Sequence, residues 1–334
     1  MVICPKNTGN LMTNLILPQH LATNKAFTRV FQPKKLSFGL IAPFKGYPEG
    51  PIPNMDDHLE LAKMADEGGI SALWIRDVPF YDPKFGDVGQ VYDPFVDLGF
   101  LAAATKNITL GTAGIVSPLR NPILTAKQAA SVDRLSQGRF ILGMSSGDRP
   151  VEYPAFGYDF DNRAERFREA WEMIRTLNEN EFPKMETQYH GQLAGNIDLV
   201  PKPVSSHLPM ITIGRARQDM SWFANQSDAW IWHGVDPRRS KDIIKEIEEL
   251  GDGKTWHPFG YANFLDLSEN PDEPARLHHN IFLRAGRNTL MEFWKQQEQD
   301  GVAHITLNLK PTRRPAKEVL QELIEDVVPH FSLV

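Results

Sequence analysis

The stretch that decides the fold runs from residue 109 to residue 147 and reads TLGTAGIVSPLRNPILTAKQAASVDRLSQGRFILGMSSG. Residues 108–116 predict a buried strand, residues 122–135 predict a helix, and residues 139–144 predict a second strand. A strand, a helix and another strand in succession indicate a parallel βαβ unit.

The same alternation continues in both directions along the chain. Further strands are predicted at residues 36–42, 70–75, 210–213, 229–232, 259–265 and 303–309. Further helices are predicted at residues 55–67, 93–105, 162–180, 218–226, 237–250, 288–299 and 316–328. Eight strand–helix units without a Gly-rich dinucleotide fingerprint favour a (β/α)8 TIM barrel over an open α/β sheet.

Two segments interrupt this pattern. Residues 181–208 are rich in Pro and Gly with little periodicity, and they predict an insertion before strand 5. The first acidic residue is Glu49, and the segment before the first strand is rich in Asn and Pro. We expect residues 1–35 to form an irregular N-terminal arm and residues 36–334 to form a single barrel domain.

Composition excludes several classes of protein. The 334 residues are 41% hydrophobic, which excludes intrinsic disorder, and their net charge of −6 offers no basic surface for nucleic acid. The single cysteine, Cys4, cannot form an internal disulfide, and no apolar stretch approaches the roughly 20 residues of a membrane span. We therefore expect a cytoplasmic protein with no membrane or nucleic-acid partner.

Three glycine-containing segments follow predicted strands, at residues 111–114, 143–147 and 214–217. Small residues allow a ligand to approach the backbone, and exposed amides can hold a phosphate. Residues 143–147 also fit the G-x-S-x-G pattern of serine hydrolases, with Ser145 as the nucleophile, although no helix follows directly. The scattered histidines form no metal-binding pattern, so no metal site is predicted.

These residues resemble the bacterial luciferase-like flavin-dependent monooxygenases. The resemblance is carried by residues 109–116, by Asn121-Pro122 and by residues 126–147, and LSQGRF at residues 135–140 is its most specific part. It covers the chain from about residue 36 to the end. It implies a (β/α)8 barrel with an insertion before strand 5, and a flavin at the C-terminal face.

The resemblance also implies site residues. Ala113 and Gly114 match a bulge, often with a cis peptide bond, that faces the flavin ring. Two further groups, at the ends of strands 4 and 5, match positions near the flavin phosphate and ribityl chain: Ser145, Ser146, Gly214, Arg215 and Ala216. Members closest to luciferase carry an Arg where Ser146 stands, so Arg215 or Arg149 would neutralise the phosphate here.

A second departure concerns catalysis. The members closest to luciferase itself also carry a catalytic histidine after the acidic residue at the end of strand 2, whereas Asp77 is followed by Val78. Asp77 and His233 therefore become the candidate catalytic residues. Phe80 and Tyr81, in the loop after strand 2, are candidates for lining a substrate pocket.

The expected function is a monooxygenase that uses reduced FMN and oxygen on a small organic substrate. The reduced FMN would come from a separate flavin reductase, and the family often forms homodimers. Three alternatives stay open: hydride transfer with the deazaflavin F420, flavin binding without turnover, and hydrolysis through Ser145.

Overall fold

The computed structural model describes residues 15–331, and within this range a closed barrel of eight parallel strands forms the centre of the molecule. The barrel closes where the last strand pairs with the first, with Ile305 opposite Phe38. In chain order the strands β1 to β8 are Ser37–Ile41, Ala72–Ile75, Thr109–Thr112, Phe140–Ser145, Met210–Ile213, Trp230–His233, Phe259–Leu267 and His304–Asn308. The predicted (β/α)8 barrel is confirmed.

A helix follows each strand and covers the outside of the barrel. The helices α1 to α8 are His58–Glu67, Pro94–Ala104, Pro122–Leu135, Arg163–Glu179, Met220–Gln226, Ser240–Leu250, Arg287–Gln299 and Ala316–Glu322. Local sequence sets where several of them begin: the Asn121 side chain accepts hydrogen bonds from the amides of Ile123 and Leu124 at the start of α3. The predicted final helix, 316–328, is regular only to Glu322 and continues as a π turn at Leu323–Val327. Within the described residues, no helix combines the length and apolar character needed to cross a membrane.

One large side chain, Trp74 of β2, fills much of the barrel interior. A Cβ atom on Gly39 of β1 would lie 2.5 Å from the Trp74 Nε1, and one on Gly111 of β3 would lie 2.3 Å from its ring. The indole N–H donates to His304 Nε2 of β8 at 3.0 Å. Burial lowers the pKa of His304 to about 3, so its ring is neutral and can accept this bond. The two glycines therefore leave the space that the indole occupies.

The N-terminal arm differs from the irregular segment that we expected. Residues 1–14 lie outside the described part, but the arm contains helices at Gln19–Ala22 and Lys25–Val30. Their apolar side chains, Leu21 and Phe27 among them, pack with interior residues of the barrel at the N-terminal ends of the strands. The arm therefore closes the bottom of the barrel, because an open end would expose the apolar interior to water.

The insertion before β5 is present between Glu179 and Met210, and it contains a small hairpin of Lys184–Glu186 with Gln192–Ala194. A second hairpin, Arg276–His278 with Phe282–Ala285, was not predicted. It follows β7 and pairs with the end of that strand, where Phe264 lies opposite Phe282.

Candidate active site

The nine site residues predicted from the sequence lie at the C-terminal ends of five neighbouring strands, β2 to β6. Because β2 to β6 are adjacent in the barrel, their ends form a continuous arc of its rim, which we call the mouth. The C-terminal face is where active sites of TIM barrels are built. The arc is formed by Asp77, Ala113, Gly114, Ser145, Ser146, Gly214, Arg215, Ala216 and His233.

A bulge interrupts the third strand at Ala113 and Gly114. Pairing with the neighbouring strands stops after Thr112 and resumes where Ile115 lies opposite Met144 of β4. Gly114 has φ +98°, and a Cβ atom there would lie 2.9 Å from the Ser145 Oγ. The Ser145 hydroxyl donates to the Gly114 carbonyl at 3.2 Å. Glycine therefore allows the backbone of β3 to bend against β4 at this point.

The structure corrects one expectation about this bulge. The peptide bond between Ala113 and Gly114 is trans, and the cis bonds of the described residues are Ala42–Pro43 and Val200–Pro201. The close approach of the bulge to β4 is achieved instead by the positive φ of Gly114 and the hydrogen bond from Ser145.

The loop after β5 is a compact turn with an unusual backbone. Gly214, Ala216 and Arg217 all have positive φ, at +67°, +42° and +59°. Gly214 N donates to the Ile231 carbonyl at 2.8 Å, and Gln218 closes the turn by donating to the carbonyls of Arg215 and Ala216. No described residue accepts a hydrogen bond from the amides of residues 215–217. These amides are therefore available to an anion.

The turn contains two cations, Arg215 and Arg217. Arg215 is exposed, with its guanidinium 5.4 Å from the centre of the Trp232 ring, and Arg217 is exposed as well. Neither makes an ion pair with any residue in the described range 15–331. Arg215 was predicted from the sequence, whereas Arg217 was not. The available signal was the Gly-Arg-Ala-Arg segment at residues 214–217, in which the two arginines are separated by one small residue.

The other candidate cation, Arg149, is already engaged. Its guanidinium donates to the Asp87 carbonyl at 2.6 Å and to the Phe80 carbonyl at 3.3 Å, and it stacks on the Phe85 ring at 4.0 Å. These contacts hold the loop after β2 against the segment after β4. Of the two cations considered from the sequence, Arg215 is the one without a partner that would have to be displaced.

Ser145 and Ser146 both lie at the end of β4, but neither has the surroundings of a nucleophile. The hydrogen bond of the Ser145 hydroxyl is to a backbone carbonyl, and no described histidine or carboxylate is bonded to it. Ser146 is buried, and its carbonyl accepts a hydrogen bond from the Tyr153 hydroxyl. A serine nucleophile needs a base within hydrogen-bond reach, and this arrangement provides none.

Asp77 is fully occupied by structural contacts. Arg120 binds both of its oxygens, with Nε 2.7 Å from Oδ2 and Nη2 2.6 Å from Oδ1, and the Val116 amide donates to Oδ2 at 3.0 Å. The carboxylate is buried and connects the end of β2 to the segment that follows the bulge. The sequence reasoning missed Arg120, because 43 residues separate the two partners. A catalytic role for Asp77 would require this ion pair to open.

His233 has the geometry of an available base. Its Nδ1 lies 3.2 Å from the Ala262 carbonyl, which can only accept, so Nδ1 carries the proton and Nε2 is left as an acceptor. The ring is open to solvent at the end of β6 and contacts Phe264 edge-on. Surrounding protein atoms lower the pKa of His233, and the nearby Arg76 cation lowers it further. At neutral pH the ring is therefore uncharged.

A polar cluster beside the mouth was not foreseen. Arg76, directly before Asp77, pairs with Asp87 at 2.9 Å, and the Tyr47 hydroxyl donates to the same carboxylate at 2.9 Å. Lys310, after β8, lies 3.5 Å from it. Burial would raise the pKa of Asp87, but the Arg76 cation outweighs it and holds that pKa at about 2. The loop after β2 is thus held to the segment after β1 by a hydrogen bond and to the segment after β8 by charge.

Within the described residues, one group could hold a metal ion at the opposite end of the barrel. His20, His207 and Asp228 place ligand atoms within 4.8 Å of one another, a cluster that the sequence did not predict. Burial lowers the pKa of His207, but hydrogen bonds to Asp228 and Glu179 outweigh it and raise that pKa. Arg175 also lies 3.1 Å from Asp228. With these cations present, the group forms an ion-pair network.

The chain is similar to known proteins over most of its length. The family model described as luciferase-like monooxygenase matches residues 36–318. An uncharacterized protein of Mycobacterium tuberculosis is 32% identical over 196 residues, which cover 56% of this chain and 66% of that protein. The oxygenase component of a flavin-dependent trigonelline monooxygenase from Acinetobacter baylyi is 27% identical over 199 residues, covering 58% of this chain and 51% of the relative. The chain thus spans less than two thirds of the length of these curated relatives.

Two solved structures share the fold. A monooxygenase from Streptomyces bottropensis, RslO1, superimposes with a TM-score of 0.74 at 18% identity, covering 89% of this chain and all of the other. An F420-dependent secondary alcohol dehydrogenase has a TM-score of 0.72 at 18% identity, covering 90% of this chain and all of the other. The extent of the family match, together with the barrel and its bulge, leads to one conclusion: the chain belongs to the luciferase-like monooxygenase family.

Proposed function

We propose that this protein binds FMN at the mouth of the barrel and uses it, in reduced form with oxygen, to oxidise a small organic substrate. The observation that carries the proposal is the turn at residues 214–217, which contains two arginines without an ion pair and three amides without an acceptor, and which follows directly after Ile213 beside the bulge at Gly114. A phosphate is the group that such a turn suits best.

The residues present fit an FMN molecule at both of its ends. The phosphate would be held by Arg215, Arg217 and the amides of the turn. The ring would lie over the bulge, where Gly114 has no side chain to hinder it and the Ala113 methyl is small. Ile213, whose Cβ is 3.3 Å from the position of a Gly114 Cβ, forms the apolar surface between these two ends.

When bound and reduced, the flavin would supply the electrons for activating oxygen. The chain's own residues would orient the substrate and exclude water. His233 Nε2 can accept a proton or a hydrogen bond from a substrate hydroxyl or hydrate. Phe80 and Tyr81 are 48% and 47% exposed in the loop after β2 and offer an apolar contact for the substrate. Asp77 would act by positioning the segment after the bulge.

This proposal implies two protein partners, a flavin reductase and a second copy of the chain. The chain has no Gly-rich dinucleotide fingerprint, so a separate reductase would supply the reduced flavin. In support, the trigonelline monooxygenase relative is named as an oxygenase component. A homodimer and a cytoplasmic location are proposed with it.

Hydride transfer with F420 is the second candidate, because a structural neighbour with the same fold is an F420-dependent dehydrogenase. The protein would be titrated with FMN and with F420, each oxidised and reduced under anaerobic conditions, with fluorescence as the readout. Tight binding of FMN, strongest in the reduced form, supports the monooxygenase. Preference for F420 contradicts it in favour of hydride transfer.

Two further outcomes separate the remaining alternatives. If FMN binds but the protein changes neither the rate of oxygen consumption by reduced FMN nor its product, the protein is a flavin-binding barrel without turnover. If neither cofactor binds, the flavin proposal fails, and labelling of Ser145 by a serine-directed phosphonate would then test the hydrolase alternative.

A further inference from the structure

A second cavity lies at the opposite end of the barrel from the mouth. It has a volume of about 450 Å³ and is bounded by the N-terminal helix Lys25–Val30, by residues 35–38 and by Phe331 near the end of the chain. Ser71 and Asn107, which precede β2 and β3, also line it. This volume lies in the range of small-molecule sites. Since β1 alone separates the two ends by roughly 13 Å, a ligand here would not overlap one at the mouth.

Three cations are among the residues that line this cavity. Lys25 and Lys35 line it, and neither makes an ion pair or a side-chain hydrogen bond with any other described residue. Arg29 also lines it, and its guanidinium donates to the Ile70 carbonyl at 3.3 Å, while its Nε is buried without any partner. Three positive charges thus line one space, and none of them forms an ion pair with a described residue.

Burial lowers the pKa of Arg29 and outweighs the charge of Asp66, which favours the charged form of Arg29. Asp66 accepts hydrogen bonds from three backbone amides, those of Lys106, Asn107 and Ile108, at 2.8, 2.8 and 2.6 Å. Its oxygens are therefore already used to hold the turn before β3, and no ion pair joins it to Arg29. A partly buried guanidinium without an anion is unfavourable, because burial costs hydration that only a counter-charge can replace.

The lining of the cavity also contains apolar residues. Val30, Leu36, Phe38 and Phe331 line it, and all four are buried in the hydrophobic core. A cavity whose lining combines cations with aliphatic and aromatic groups suits a ligand that carries both an anionic group and an apolar body. Inorganic phosphate would satisfy only the charged half.

We propose that this cavity is a second binding site, separate from the mouth, for a small organic anion that carries a phosphate or a carboxylate on an apolar body. Arg29 and Lys35 bind the anionic group, with Lys25 adding charge at the rim, and the apolar body lies against Leu36 and Phe331. The arm that closes the bottom of the barrel thereby also forms one wall of a ligand site.

The test is a calorimetric titration of the full-length protein with phenyl phosphate and with benzoate at low salt, using benzyl alcohol as the neutral analogue. We expect one saturable site for at least one of the two anions, and binding of benzyl alcohol at least tenfold weaker. Preference between phenyl phosphate and benzoate identifies the anionic group, and either preference supports the site. Absence of saturable binding by both anions overturns it.

Variants locate the binding. Arg29→Gln and Lys35→Gln should each weaken anion binding about tenfold, because each removes a charge-assisted contact. Lys34→Gln, which removes the same charge from an exposed neighbour outside the cavity, should leave affinity unchanged. Lys35→Gln removes no side-chain hydrogen bond, so it keeps the test valid if Arg29→Gln is destabilised. If Arg215→Gln abolishes binding while Arg29→Gln and Lys35→Gln do not, the anion binds at the mouth and the proposal is wrong.

Discussion

Replacing Gly114 with Ala would add one methyl group where strands β3, β4 and β5 meet at the mouth. Two costs arise. An L-residue at positive φ costs about 1–2 kcal/mol, and forcing a methyl into a closely packed site costs about 1–3 kcal/mol more. The new Cβ would lie 2.9 Å from Ser145 Oγ, 3.0 Å from Ser145 Cβ and 3.3 Å from Ile213 Cβ, so both strands must move.

Gly214→Ala is the matched control, because Gly214 also has positive φ but has no atom within 4 Å of its Cβ position. The backbone cost, and the entropy that Ala removes from the unfolded chain, apply to both variants. The difference between them therefore reports the contacts at Gly114 together with the larger strain of its φ of +98°, against +67° at Gly214. We expect Gly114→Ala to lower the free energy of unfolding by about 1–3 kcal/mol more than Gly214→Ala.

Urea unfolding of the cofactor-free variants, followed by tryptophan fluorescence, measures this difference directly. FMN titration provides a second readout, in which Gly114→Ala should lose at least tenfold in affinity because its methyl displaces the surface against which the ring lies. Equal stability of the two variants would refute the reasoning, since it would mean that the bulge accommodates a side chain without moving β4 or β5.

Three further predictions concern the charged groups around the mouth. Asp77→Asn and Arg120→Gln should each destabilise the protein, because breaking a buried pair leaves one charge unpaired. Unfolding curves of the single and double variants should show a coupling free energy of about 1–3 kcal/mol between the two residues. Absence of coupling would mean that Asp77 does not anchor the segment after the bulge. The pKa of Asp87, about 2 against an ordinary 3.8, means that its ionised form stabilises the fold above about pH 4 and that this stabilisation is lost as the pH falls through about 2. Between about pH 5 and 2, the free energy of unfolding should therefore fall less steeply for Asp87→Asn than for the wild type. Equal slopes for the two proteins would contradict this. The imidazole of His233 should titrate below 6.5 in NMR spectra, because the surrounding protein atoms and the Arg76 cation both disfavour its charged form, and it should thus be neutral at pH 7. A midpoint above 6.5, in the resonance that His233→Asn removes, would exclude the neutral base.

Periodicity and local signals were enough to predict the barrel. The predicted helix at residues 122–135 and the predicted strand at residues 210–213 agree with the structure at both ends. The helix has a long alternation of apolar and polar residues, because one of its faces packs on the barrel. The strand is a short apolar run between turn residues, because it is buried in the barrel wall. Because all eight strands are parallel, their C-terminal ends lie at the same face of the barrel, and the predicted site residues at these ends therefore lie together at the mouth.

What the sequence could not indicate depends on contacts between distant segments. The two N-terminal helices are only four and six residues long, so their form depends on burying Leu21 and Phe27 in the barrel and not on intrinsic propensity. The partner of Asp77 is likewise set by the fold, since Arg120 lies 43 residues away in the sequence and contacts both of its oxygens in the structure. For the same reason a carboxylate that seemed available for catalysis in the sequence is bound on both oxygens in the structure.

The central claim is that the turn at residues 214–217 holds a flavin by its phosphate, and the ratio of FMN to riboflavin affinity tests it most directly. Riboflavin has the same ring without the phosphate, so the ratio isolates the phosphate contacts. We predict that the wild type favours FMN by at least a hundredfold, and that Arg215→Gln with Arg217→Gln reduces this ratio about a hundredfold, since each lost charge-assisted contact is worth about tenfold. Riboflavin affinity should stay constant, and Arg134→Gln, at the far end of α3, should change neither value. An FMN preference that survives the loss of both arginines would contradict the account and place the phosphate elsewhere.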